Sequence, residues 1–170
     1  MTTRDFCIKW GVYVLALLPV WFCEAYVLGQ LPLTWVRPTL LPLAAICVAV
    51  LEGGTAGAGF GLGVGVLWDA IYPGGDGAMT LTMCVLGMAA GVLAQHLLRQ
   101  DLVGCLLCAL LGLMLLDGWR ILFRLLQGES GLSAMLSVAG REIGISLLFV
   151  FPVYALFLWV YHRVPKKTVL

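Results

Sequence analysis

Charge is what this sequence has least of. Lysine and arginine number 10 and aspartate and glutamate 9 in 170 residues, 11% in all, against 62% apolar. Soluble domains carry about a quarter charged residues, so this chain cannot clothe a solvated surface, and its mean hydropathy of +1.03 assigns it to a membrane. The scattered basic residues and a net charge of +1 exclude a nucleic-acid partner, because phosphate binding depends on gathered Lys and Arg. Histidine is nearly absent. His96 and His162 fall at separate helix ends, which leaves no basis for a His metal centre or a Ser–His pair. A phosphate-cradling loop is missing too, since the glycines of Gly57 to Gly65 precede neither Lys-Ser nor Lys-Thr and follow no strand. About six spans of ~20 residues consume roughly 120 positions, leaving no length for a soluble catalytic domain. No catalytic residue, metal or cofactor is therefore expected.

The six cysteines do not form a disulfide framework in this reading. Cys23, Cys47, Cys84, Cys105 and Cys108 lie in apolar runs, and Cys7 sits beside the charged N-terminus. Cys105-Leu-Leu-Cys108 has redox or zinc spacing, yet both chemistries need a polar, accessible thiolate. Packing as free thiols is the expectation.

What the sequence does contain is a series of apolar segments punctuated by charge, glycine and proline. The fold class expected is all-α, one integral membrane domain with about six transmembrane helices and lipid as its surroundings. The spans are read at 10–28, 38–51, 55–71, 78–98, 102–123 and 143–161. The first is too long for a signal-peptide core and contains Pro19 and Glu24, so it is taken as retained. Trp35 and Arg37 are interface anchors before the second. Between the fifth and sixth spans, Leu132, Met135, Leu136, Ala139 and Ile143 recur at helical spacing, which fits either a short interfacial helix or a longer, tilted sixth helix. With the N-terminus inside, Arg4, Lys9, Arg99, Arg163, Lys166 and Lys167 face the cytoplasm against Arg37, Arg120, Arg124 and Arg141 outside, six to four. Both termini are accordingly expected in the cytoplasm.

Two groups of residues are candidates for function. Gly53, Gly57, Gly61 and Gly65 fall four apart, a groove of bare backbone along one helix face where another helix packs. Gly59 and Gly63 begin a second row, while Gly87, Gly91, Gly104, Cys108 and Gly112 offer matching faces. Tight packing within the chain is the first reading of this groove, and contact with another membrane protein the second. The other group is ionisable: Glu24, Asp69, Asp117 and Arg120 lie within spans, with Arg124 just beyond. Each costs roughly 2.5 to 3.5 kcal/mol at a helix centre. All five should share the outer half of the bilayer, and ion pairing among Asp69, Asp117 and Arg120 is predicted. A solute pocket is the alternative. An aspartyl-protease dyad of Asp69 and Asp117 is disfavoured, because Arg120 one turn from Asp117 hinders a shared proton.

The run Gly57-Ala58-Gly59-Phe60-Gly61-Leu62-Gly63-Val64-Gly65-Val66-Leu67-Trp68-Asp69-Ala70-Ile71-Tyr72, followed by a gap and Gly77, resembles the signature of the bacterial rod shape-determining MreD family. In that family a glycine-rich third helix leads into an aromatic or aliphatic residue, Asp, an aliphatic residue and a short loop closing at Gly. Chain length, six-span layout, short loops and a basic C-terminal tail are similar across nearly the whole chain. The loop from Pro73 to Asp76 departs from the pattern in its excess of glycine. The resemblance implies a multi-pass, non-catalytic component of the cell-elongation machinery in the bacterial inner membrane. It would act with an MreC-like bitopic protein and, through it, with a RodA-type polymerase, a class B penicillin-binding protein and MreB filaments in peptidoglycan synthesis. By the same resemblance Asp69 matches the helix-end Asp, and Gly57, Gly61 and Gly65 the close-packing face.

A second family has similar size and helix count, the substrate-binding membrane subunit of energy-coupling factor transporters. Such subunits hold a vitamin in an outer pocket, where Glu24, Asp69 and Asp117 are expected here. Their first helix displays an Ala-xxx-Ala contact for the partner subunit, whereas Ala16 is followed four residues later by Val20.

Overall fold

The structure, a computed structural model, describes residues 3–28, 39–71, 77–96, 98, 101–128 and 131–164. These residues form six helices and no strand. They are α1 (Thr3–Phe22), continued by a π-helical segment (Cys23–Leu28), α2 (Leu40–Glu52), α3 (Gly54–Ile71), α4 (Ala78–His96), α5 (Leu102–Leu126) and α6 (Leu132–Arg163). The expected all-α membrane bundle is what the chain adopts. Arg37 and the loop from Pro73 to Asp76 lie outside the described residues, as do Arg99, Lys166 and Lys167.

Among the described residues, four helices are long and apolar enough to cross a membrane: α1 with its π-helical extension, α4, α5 and α6; α3, expected as the third span, is not one of them. Their large apolar side chains, among them Leu15, Leu81, Val103 and Leu148, point outward, where acyl chains replace water as the surroundings. The expected second span is different. At 13 residues, α2 is about 20 Å long against a hydrocarbon core of about 30 Å. Every residue from Leu40 to Leu51 is buried. A helix apolar on all sides must be enclosed on all sides, and α2 is the central post of the bundle, packed by α1, α3, α4, α5 and α6.

Gly53, at φ +97°, makes the one-residue turn between α2 and α3, a conformation that favours glycine. It brings Gly57 against Ala49. From there α3 and α4 run antiparallel in close contact along their whole length: Gly54 meets Gly91, Gly57 meets Gly87, Gly61 meets Met83 and Gly65 meets Thr80.

Of the two readings for residues 132–143, the longer sixth helix is the one observed. α6 runs 32 residues without a break, about 48 Å, so it exceeds the hydrocarbon thickness. In α1, Pro19 removes one donor from the hydrogen-bond ladder, and the helix widens to π geometry four residues later. Glu24 sits in that widened segment.

Candidate functional site

The sequence offers helix starts but does not say what satisfies their free N–H groups. At α2 the answer is Glu24. Its Oε2 accepts the backbone N–H of Leu40 at 3.0 Å and of Leu41 at 2.7 Å, while the N–H of Thr39 donates to Ser146 Oγ at 3.2 Å. A carboxylate at a helix N-terminus also meets the positive end of the peptide dipoles. Glu24 is thus a cap supplied across helices.

Asp69 does the same for α4. Its Oδ2 accepts from the backbone N–H of Thr80 at 3.1 Å and from Thr80 Oγ1 at 2.6 Å. The predicted ion pairing of Asp69 with Asp117 and Arg120 is therefore corrected: the Asp69 carboxylate is taken up by the start of the following helix, which supplies donors without a counterion. The link to Arg120 passes instead through the neighbouring residue, with the guanidinium 5.7 Å from the Trp68 ring centroid.

The remaining part of that prediction holds in geometry. Arg120 Nη1 lies 3.5 Å from Asp117 Oδ1, one turn away on α5. It lies 3.6 Å from Oε1 of Glu142 on α6, a partner the sequence reading missed. Glu142 falls between the apolar positions Ala139 and Ile143 of that helix, and only the packing of α6 on α5 reveals its partner. Arg124 makes no ion pair among the described residues and lines a 280 Å³ cavity between α5 and α6 with Asp117, Arg120 and Glu142. Through these contacts Glu24, Asp69, Asp117, Arg120 and Arg124 all come to one end of the bundle.

The glycine groove is filled from within. A Cβ on Gly57 would stand 2.5 Å from both the Ala49 Cβ and the Gly87 carbonyl oxygen, and on Gly61 it would collide with the Met83 backbone carbonyl. Gly65 is equally closed by Thr80, and Gly53 by Gln95. Of the two readings of this row, packing within the chain is the one observed. Gly59 and Gly63 face the other way, with no atom within 4 Å of where a Cβ would be.

The opposite end holds a second polar group that sequence reading missed. Lys9 Nζ pairs with Glu52 Oε2, and Tyr13 Oη donates to Glu52 Oε1 at 2.7 Å. Both charged side chains are only 10% exposed. Tyr13 also packs on Phe157 and Phe60, with ring centroids 6.2 Å apart in each case. Topology was the available signal: Lys9 precedes the first apolar run and Glu52 ends the second, so both fall on one side. Below this end, in the core, the thiols of Cys47 and Cys105 lie 3.4 Å apart. All six cysteines are free.

Chemically, this arrangement caps helices and neutralises charge. Asp69 and Asp117 are engaged by different partners, Thr80 and Arg120, and no cluster of three metal-ligating side chains occurs among the described residues. No protein-family model, curated protein or solved structure matches the chain.

Proposed function

We propose that the chain is a non-catalytic component of the bacterial cell-elongation machinery, seated in the inner membrane with its Lys9 end toward the cytoplasm. It would join an MreC-like bitopic protein to peptidoglycan synthases through contacts between transmembrane helices. The run from Gly57 to Tyr72, with its likeness to the MreD family, is the source of this reading. The observation that supports it most directly is the two-sidedness of α3. One glycine row is spent on α4, whereas Gly59 and Gly63 leave bare backbone on the surface beside exposed Leu62 and Val66. In lipid, such small-residue strips permit the close approach of another helix. The capping roles of Glu24 and Asp69 also favour this reading, since both carboxylates hold the bundle together and neither is free for a solute. Depletion in the source bacterium tests it. Cells that round up with mislocalised wall synthesis are the expected result; unchanged cell shape would overturn the proposal.

One observation favours the transporter-subunit reading, the charged cavity beside Asp117. Vitamin auxotrophy with normal cell shape on depletion would select it.

A further inference from the structure

The cavity between the end of α5 and the start of α6 is lined by two guanidinium groups, Arg120 and Arg124, and two carboxylates, Asp117 and Glu142. Its balance is incomplete. Arg120 is shared between Asp117 and Glu142 at 3.5 and 3.6 Å, long distances for charge-assisted bonds. Arg124 makes no close ion pair among the described residues and reaches the Glu142 carboxylate only through the cavity that both line. Asp117, whose side chain is 10% exposed, keeps one oxygen, Oδ2, buried without a donor, an expensive state for a carboxylate. The other oxygen, Oδ1, has only the 3.5 Å contact with Arg120, so this carboxylate keeps unused acceptor capacity at the cavity wall.

A lone anion here would be repelled by two carboxylates, and a lone cation by two arginines. A group carrying both signs meets each in turn. The volume, 280 Å³, lies at the lower limit of ligand pockets, about 300–1,000 Å³, which suits a headgroup. The surroundings indicate what that head is attached to: Leu122, Phe123 and Leu126 on α5 and Leu132, Leu136 and Val138 on α6 are all exposed, an apolar border on which acyl chains lie.

We propose that this cavity binds the headgroup of a membrane phospholipid bearing both a phosphate and a primary ammonium, with the phosphate against Arg124 and the ammonium against Asp117 and Glu142. A trimethylated ammonium has no N–H to donate to the carboxylates, so ethanolamine lipids are selected over choline lipids. This site is independent of the partner contacts proposed for α3.

Native mass spectrometry of the full chain in detergent tests the assignment. The titrants are ethanolamine and choline phospholipids with identical short acyl chains, and aqueous phosphoethanolamine. The ethanolamine lipid should bind about tenfold tighter than the choline lipid, as expected for one added charged hydrogen bond. Arg124→Ala, at an exposed position, should weaken both lipids by about tenfold, while Glu142→Gln should erase most of the preference between them. Melting temperatures of both variants near wild type would show that the fold is kept. Should Glu142→Gln unfold the chain, the Arg124→Ala result and the wild-type preference still decide. Equal retention of the two lipids by the wild type, unaltered binding in Arg124→Ala, or competition by phosphoethanolamine at the same concentration as the lipid would overturn the proposal.

Discussion

The Glu24 carboxylate and the backbone N–H of Leu41 are joined by a 2.7 Å hydrogen bond buried in the bundle. Glu24 lies in the π-helical segment that ends the first helix and Leu41 in the first turn of the second, so one side chain fixes where the central post begins. Glu24→Ala leaves the Leu40 and Leu41 donors buried without an acceptor. Loss of a cap costs about 0.5–2 kcal/mol and leaving its buried donors unmet moves the cost toward the upper end, so a loss of about 2 kcal/mol is expected. Glu24→Gln keeps an acceptor but not its charge and should lose about half as much, since charge-assisted bonds are roughly twice as strong as neutral ones. Thermal unfolding of the two variants in detergent measures both, and equal melting points for Glu24→Ala and wild type would refute the capping role.

Two glycines two positions apart on α3 should respond oppositely. Gly61→Leu drives a side chain into the Met83 backbone carbonyl, and overpacking of this kind costs about 1–3 kcal/mol or more. At Gly63 there is open space, so Leu there should leave the melting temperature unchanged. If the outer face of α3 receives a partner helix, Gly63→Leu should nonetheless reduce co-purification of the MreC-like protein. Undiminished recovery with Gly63→Leu would remove the outer row from the proposed interface.

For Asp69, a double-mutant cycle distinguishes capping from ion pairing. Residues in one hydrogen-bonded group couple by about 0.5–3 kcal/mol, whereas separate groups add to within roughly 0.3–0.5 kcal/mol. Asp69→Ala with Thr80→Ala should show the coupling, because Thr80 donates twice to that carboxylate. Asp69→Ala with Arg120→Gln should be near additive. The reverse pattern would restore the ion pair that the spacing predicts.

The ends of α2, α3 and α4 and the start of α5 were legible to within two residues because charge, glycine and proline interrupt apolar runs sharply, whereas α1 and α6 begin well before their apolar runs; the shared location of Glu24, Asp69, Asp117 and Arg120 followed from counting spans. Their partners were not legible. An acid within a span invites a search for a base, yet the donors that engage Glu24 and two of Asp69's contacts are N–H groups and a hydroxyl, and a helix start bears no charge in the sequence. In both cases a carboxylate near the end of one helix caps the next helix in the chain, whereas Glu52 at the end of α2 turns to Lys9 and Tyr13 instead. The role of α2 was hidden for a different reason. Leu40 to Leu51 reads as a short span, and only packing reveals that the segment touches other helices on all sides.

The pair at the other end gives the sharpest energetic contrast. Lys9 and Glu52 are each 10% exposed, so each charge depends on its partner far more than on solvent. Lys9→Met leaves Glu52 buried with only the Tyr13 hydroxyl as donor, and breaking a buried pair from one side costs about 3–5 kcal/mol. Replacing both, Lys9→Met with Glu52→Leu, removes the stranded charge. Exchange of a buried pair for apolar residues of similar volume is often neutral or stabilising by about 1–4 kcal/mol, but here Tyr13 would lose its acceptor at a cost of about 1–3 kcal/mol. The double variant should therefore be markedly more stable than Lys9→Met and close to wild type, and adding Tyr13→Phe should recover what the orphaned hydroxyl takes away. Melting temperatures of the four proteins in one detergent decide the matter: a double variant no better than Lys9→Met would mean that the loss comes from packing around the lysine stem and not from the charge left behind.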